Sequence, residues 1–242
     1  MSLSSMSVSI HSATVNALLI LRSTCDRVVC TLRETVELSL IPLLPYLPNG
    51  TLNTIEGWVA SVRFRLHLKK PRRTKLGDFK SPKRGDIPQI SVNIDLPPHA
   101  FLITLTHEIA HLLTWSQHGS RVRPHGPEWK ACFGALLVEL SMLECLSPQF
   151  KQGLQAHAQH PTSSTHRDAH FYRLIRTLDG QSGPLLDELA VGTPFELSGR
   201  RFIKKRTQRT RCLCLAIDEG VDYQISRLAE VRILDDHRSM PG

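Results

Sequence analysis

The stretch Thr104-Leu105-Thr106-His107-Glu108-Ile109-Ala110-His111 constrains this chain more than any other. Histidines four apart on an α-helix lie one above the other on one face. A glutamate directly after the first stands beside whatever the histidines hold. Side chains so placed suit a zinc ion bound by the imidazoles and a water activated by the carboxylate. With 12 histidines in 242 residues, composition alone predicts only roughly 0.03 such patterns. The weight of the pattern then rests on two further requirements, a helix beneath it and a third ligand.

The helix is well signalled. Pro97-Pro98 opens it, proline being tolerated in a first turn, and Gly119 closes it. Phe101, Leu102, Leu105, Ile109 and Leu112 form an apolar stripe, while Thr104, His107, Glu108 and His111 share a neighbouring face. For the third ligand, a metzincin would place glycine three and histidine six residues beyond His111. Thr114 and Gln117 stand there instead, and His118 falls one residue past that spacing. The stronger candidate is His125, within Arg123-Pro124-His125-Gly126-Pro127-Glu128-Trp129. Gly126-Pro127 reads as the start of a second helix that turns Trp129, Cys132, Phe133, Leu136, Leu137 and Leu140 inward. Prolines on both sides restrict the backbone of His125, so it can be aimed at the first helix. Glu128 and Glu139 remain alternatives as third ligand, although Glu128 is better explained as a first-turn acid facing the helix dipole. Three protein ligands leave a fourth position for water, which distinguishes a catalytic zinc site from a structural one.

Taken together, these segments resemble the SprT-like zinc metallopeptidase family. The resemblance is carried by Arg73-Thr74-Lys75-Leu76-Gly77-Asp78, Ile90-Ser91-Val92-Asn93, His107-Glu108-Ile109-Ala110-His111 and His125-Gly126-Pro127-Glu128-Trp129-Lys130. It extends over residues 32–234 and is nearest to bacterial members without a cysteine ribbon, so it implies no second zinc. The resemblance implies one Zn²⁺ held by His107, His111 and His125, with Glu108 as general base. It also implies a zinc-dependent endopeptidase acting on a protein or peptide, and some SprT-like relatives cut nucleic-acid-associated proteins.

The remaining chain reads as scaffold. Residues 1–11 carry no periodic pattern and are expected to be poorly ordered. Apolar residues at helical spacing run from Ala13 to Leu44 until Pro42, Pro45 and Pro48 break them, and a short helix begins near Thr51. From Val62 the period becomes two, and Phe64, Leu66 and Leu68 alternate with Arg65, His67 and Lys69. His67 thereby reads as an exposed strand residue. Two more strands are expected, around 74–79 and over 89–94, with Gly85-Asp86 in the loop between them. Their short connections predict an antiparallel meander. Residues 149–170 are polar, and His157, His160, His166 and His170 read as exposed. A short helix over 171–178 ends at Asp179-Gly180. Strands follow over 195–197, 201–204, 209–217, 223–226 and 229–234. Leu213, Leu215 and Ile217 on one face, with Cys212, Cys214 and Ala216 on the other, predict a strand buried on both sides.

The expected fold class is therefore α+β. Residues 1–30 form an N-terminal extension. Residues 31–148 form a zincin-like metallopeptidase domain, a small antiparallel sheet packed on the motif helix. Residues 149–188 form a polar connector with a short helix, and residues 189–236 a small SH3-like all-β domain.

The net charge of +8 is unevenly placed. Lys69, Lys70, Arg72, Arg73 and Lys75 form one basic cluster, Lys80, Lys83 and Arg84 a second. Arg200, Arg201, Lys204, Lys205, Arg206, Arg209 and Arg211 form a third. Such clusters suit a nucleic acid, and equally suit solvated strands and loops. The alternative to an enzyme is thus a nucleic-acid- or transcription-associated binding protein whose zinc site is vestigial or structural. None of Cys25, Cys30, Cys132, Cys145, Cys212 and Cys214 forms a C-x-x-C pair or a disulfide framework, which favours a reducing, cytoplasmic setting. No apolar run suits a membrane span, and no basic residue precedes the apolar residues 15–21 as in a signal peptide.

Overall fold

A computed structural model describes residues 40–72, 74–83 and 86–234. The expectations for residues 1–39, for Arg73, Arg84 and Gly85, for residues 235–236 and for the side chain of His166 lie outside the described residues. Among these residues no helix is long and apolar enough to cross a membrane.

Proline controls the opening segment. Ile41–Tyr46 forms a 3₁₀ helix containing Pro42 and Pro45, with Leu43 buried beneath it. Helix α1, Leu52–Val59, follows and turns Ile55 and Val59 into the core, as its spacing predicts.

The first sheet differs from the expected meander. Its strands are β1 (Arg65–Lys69), β2 (Gly77–Lys80) and β3 (Gln89–Asn93), in the order β1-β3-β2. β3 is antiparallel to β2, with Phe79 opposite Ile90, but parallel to β1, with Leu66 opposite Ile90. The reason lies in burial. Ile90 and Val92 are fully buried, so β3 takes the centre, while the more polar β1 and β2 can face water at the edges. The link between Lys69 and Gly77 is too long for a tight hairpin. Arg72 pins that link, its Nε donating to Asn93 Oδ1 at 2.7 Å and its Nη1 to Ser91 Oγ at 3.1 Å. Asn93 Nδ2 adds a bond to the Lys75 carbonyl at 3.1 Å.

Helix α2 (Pro98–His118) packs on this sheet and ends at Gly119, whose φ of 66° suits a residue without a Cβ. The start of α2 has no local side-chain cap. Instead the Asp179 carboxylate accepts from the backbone N–H groups of His99 at 2.9 Å and Ala100 at 3.0 Å, and from His99 Nδ1 at 2.7 Å. Helix α3 (Pro127–Ser141) begins at Gly126-Pro127 as expected and buries Trp129, Phe133, Leu136, Leu137 and Leu140.

The polar connector requires correction. Pro148–Gln159 is a helix, α4, which buries Phe150, Gly153, Leu154 and His157. Its apolar face is narrow because Gln, Lys and His fill the other positions, and composition therefore disguises it. Asp168 caps helix α5 (Ala169–Leu178) by accepting from the Phe171 N–H at 3.0 Å. Phe150, Leu154, Phe171 and Ile175 join one core with Phe101, Ile109, Trp129 and Ile90.

Strands β4 (Pro194–Leu197), β5 (Arg200–Thr207), β6 (Arg211–Ala216), β7 (Asp222–Ser226) and β8 (Arg232–Ile233) form an antiparallel sheet in the order β7-β6-β5-β4-β8. All five expected strands are present, with β7 and β8 at the edges. Ser198 and Gly199, at φ 53° and 76°, make the tight β4–β5 turn. The reading of β6 as buried on both sides is corrected. Cys212, Cys214 and Ala216 are buried against Phe195 and Phe202, but Leu213 and Leu215 are half-buried and Ile217 is exposed. A single small sheet covers one face of its central strand and leaves the other near water. Lys204 is also not part of a basic surface: it is buried, and its Nζ donates to the Leu189 carbonyl at 2.6 Å and the Asp187 carbonyl at 3.1 Å.

Candidate metal centre

Helix α2 sets His107 and His111 one turn apart, and a tight turn brings in the third imidazole. In that turn the Gly126 N–H donates to the Arg123 carbonyl at 3.0 Å. A Cβ on Gly126 would stand 2.9 Å from the Arg123 oxygen, so the turn needs glycine there. His125 adopts a φ of 58°, a left-handed conformation uncommon for a residue with a Cβ. The strain is tolerated where Pro124 and Gly126-Pro127 fix the backbone, and it directs His125 back at α2.

The outcome is convergence. His107 and His111 Nε2 lie 3.2 Å apart, His111 and His125 Nε2 3.0 Å, and His107 and His125 Nε2 3.1 Å. A neutral imidazole has one donor and one acceptor nitrogen, so three facing Nε2 atoms cannot all satisfy one another as hydrogen bonds. They do fit one cation. Ligands about 2.0–2.1 Å from a shared tetrahedral ion lie roughly 3.3 Å from each other. His107, His111 and His125 are the group among the described residues that could hold a metal ion. Burial, then repulsion by neighbouring imidazoles, lowers the pKa of His107 to about 3 and that of His111 to about 4. Burial and then the Arg167 charge lower that of His125. At neutral pH all three therefore keep the lone pairs that a metal needs.

Trp129 supports the cluster from below. It is fully buried, with ring centroids 4.6, 5.2 and 4.7 Å from those of His107, His111 and His125. On another side, the Phe79 ring of β2 stacks on His111 at 6.0 Å. Glu108 is buried beside β2, where burial and then the Asp78 charge raise its pKa to about 8. The Arg72 charge, and after it the Phe79 backbone N–H, partly oppose that rise. Histidines and carboxyl border a cleft of about 870 Å³ that also reaches Thr104, Trp115 and Thr165.

The other sequence candidates stand apart. His67 lies on β1 opposite Ser91, and His118 ends α2. Glu139 accepts from Trp58 Nε1, and Glu128 sits in the first turn of α3. None of these joins the three-histidine group. Two residues escaped the sequence reading. A Cβ on Gly77 would fall 2.5 Å from Glu108 Oε1 and 2.8 Å from Thr104 Cγ2, so only glycine lets β2 pass this close. The signal for Gly77 was its place within an otherwise β-forming segment. His157, expected to be exposed, is buried in the cleft wall, with Nδ1 2.8 Å from Asp168 Oδ2 and its ring stacked on Phe171 at 4.5 Å. Its pairing depends on the fold of α4 against α5, which no local pattern reports.

Residues 67–142 match the model of the SprT-like family. The matched segment runs from β1 through the last turn of α3 and so contains every residue of the histidine cluster and Glu108. No curated protein and no solved structure matches the chain.

Proposed function

We propose that the chain is a zinc-dependent endopeptidase of the SprT-like type, with a zincin-like catalytic part and an SH3-like β part. The observation that carries the reading is the meeting of three imidazole Nε2 atoms within 3.0–3.2 Å, two of them on the same helix as a buried glutamate. His107, His111 and His125 would hold one Zn²⁺ and leave a position open to solvent in the cleft. Bound there, zinc would acidify a water and polarise a peptide carbonyl. Next to the charge of the bound ion Glu108 would be ionised despite its burial, and its carboxylate oxygen would take the proton from the attacking water and deliver it to the leaving amine nitrogen. Gly77 keeps the space around that carboxylate open. The outer edge of β2 is unpaired in the sheet, and Gly77, Asp78 and Phe79 border the cleft. An extended substrate can hydrogen-bond along that edge, which brings its backbone past the histidines. All four described cysteines are free thiols, which fits a reducing, cytoplasmic setting.

The test is a pair of variants. Glu108→Gln is expected to keep one zinc per chain and lose cleavage of a denatured protein substrate. Cleavage at the wild-type rate by that variant would remove Glu108 from the mechanism. His125→Ala is expected to lose the zinc. Retention of about one zinc by His125→Ala would exclude His125 as a ligand.

A further inference from the structure

The cations of the β4–β8 sheet separate into two sets. Arg200 pairs with Glu219 at 2.6 Å, Lys205 with Asp222 at 2.7 Å and Arg227 with Asp187 at 2.7 Å. Arg201 pairs with Asp218 and Arg232 with Glu196. Lys204 is spent on buried carbonyls. Among the described residues, no carboxylate pairs with Arg206, Arg209 or Arg211, which flank the β5–β6 turn. Arg167, which precedes α5, brings another exposed guanidinium to the same corner. Arg167, Arg209, Thr210, Arg211 and Ser226 line a cavity of about 510 Å³.

This corner is held in place before anything binds. Gln208 N–H donates to the Arg211 carbonyl at 2.7 Å, and Arg227 N–H to the Thr210 carbonyl at 3.2 Å. Arg227 Nη1 also donates to the Arg209 carbonyl at 3.2 Å, while its Nε is anchored on Asp187. Arg211 spends one N–H on the Gln224 carbonyl at 3.0 Å and keeps the rest of its fork. Concentrated positive charge on a fixed backbone, with two hydroxyl donors beside it, suits phosphate oxygens. A peptide partner would need an apolar pocket for its side chains, and no large apolar side chain lines this cavity. No aromatic ring lines it either, so bases would not stack there.

We propose that this corner binds the phosphate backbone of a nucleic-acid strand, with Arg167, Arg209 and Arg211 contacting phosphates and Thr210 and Ser226 donating hydroxyl hydrogen bonds. Recognition is independent of sequence, because only the backbone is contacted. The proposal does not rest on the peptidase reading: binding at this corner requires no zinc and no Glu108, although the Arg167 charge also reaches His125.

The experiment uses the full chain and a fluorescent single-stranded oligonucleotide of mixed sequence, followed by anisotropy at several salt concentrations. R209A/R211A is compared with R201A/K205A, which removes the same charge from cations already paired with acids. R209A/R211A is expected to weaken binding about tenfold and to reduce the slope of log affinity against log salt by roughly 1.4. R201A/K205A is expected to bind within about twofold of wild type, and R167A to weaken binding by a smaller factor than R209A/R211A. Unchanged melting and zinc content show that the variants are folded. Equal weakening by both double variants would replace the site with diffuse charge attraction. Wild-type binding by R209A/R211A would remove it. Polyglutamate that binds as tightly and depends on the same arginines would convert it to an acidic-peptide site. Glu108→Gln is expected to bind the oligonucleotide like wild type, so a failed peptidase assay leaves this result standing.

Discussion

Helices α2 and α4 each set histidine in the wall of the same cleft, half-buried on α2 and fully buried on α4, and they partner it in opposite ways. On α4, His157 Nδ1 meets the Asp168 carboxylate, an ordinary buried pair that joins one helix to the next. On α2, His107 and His111 meet each other and His125, nitrogen against nitrogen, with no carboxylate among the three. His157 is paired with an acid of the protein through Nδ1, while its Nε2 has no hydrogen-bond partner. Histidines given only histidines suit a cation. Partner chemistry, more than burial or abundance, therefore separates a structural histidine from a ligand.

That contrast can be tested at five positions. The largest effect is expected at the histidine cluster. His111→Ala should lower bound zinc from about one per chain to none, and a chelator that lowers the melting temperature of wild type should leave this variant unchanged. His157→Phe should keep its zinc and its chelator response, measured by metal analysis and thermal melting. Zinc loss in His157→Phe would erase the distinction between the two helices. Next is Gly77→Val, whose side chain must displace the Glu108 carboxylate. Zinc is expected to stay while cleavage falls about 100-fold, the scale of an ångström-sized misplacement of a catalytic group.

Asp168→Ala is smaller. It removes a helix cap and leaves His157 Nδ1 unpaired, which is expected to cost about 2–3 kcal/mol in denaturant unfolding with zinc stoichiometry unchanged. The least is expected at Asp187. Burial tends to raise its pKa, but hydrogen bonds from Arg173 and Arg227 prevail and hold it below the usual carboxylate value. A carboxyl with a depressed folded pKa stabilises the fold above its unfolded value near 3.8 and loses that contribution as pH falls through the folded value. Asp187→Asn should therefore cost about 1–2 kcal/mol at neutral pH. Its unfolding free energy should then fall less steeply than that of wild type when titrated below about pH 4.

Local chemistry explains which parts of the molecule were legible in the sequence. Pro98, Gly119 and Gly126-Pro127 punctuate α2 and α3 strongly, and His107 to His111 is a matter of helical spacing, so both helix ends and the shared face of these two histidines are where the residues say. Strand pairing is not local. β1 joins β3 in parallel because β3 alone is apolar enough for the centre, a competition among three strands that no one strand announces. Helix α4 shows little beyond Phe150, Leu154 and His157 to mark its buried face. Lys204 reads as a surface cation until the fold supplies two carbonyls for its ammonium. The arginines at the β5–β6 turn look like their neighbours in sequence, and only the placement of Asp218, Glu219 and Asp222 distinguishes them.

The cap on α2 bears on how this protein can be divided. Asp179 grips the first turn of the metal helix from beyond the end of α5, outside the segment that the SprT-like family model matches. A fragment trimmed to residues 67–142 would contain His107, His111, His125 and Glu108. It would also lack Asp179, Phe150 and Phe171, leaving the helix start ungripped and the underside of the core open to water. The part that can be recognised is therefore smaller than the part that can fold, and a minimal folded unit around the histidine cluster has to extend at least through the turn at Gly180.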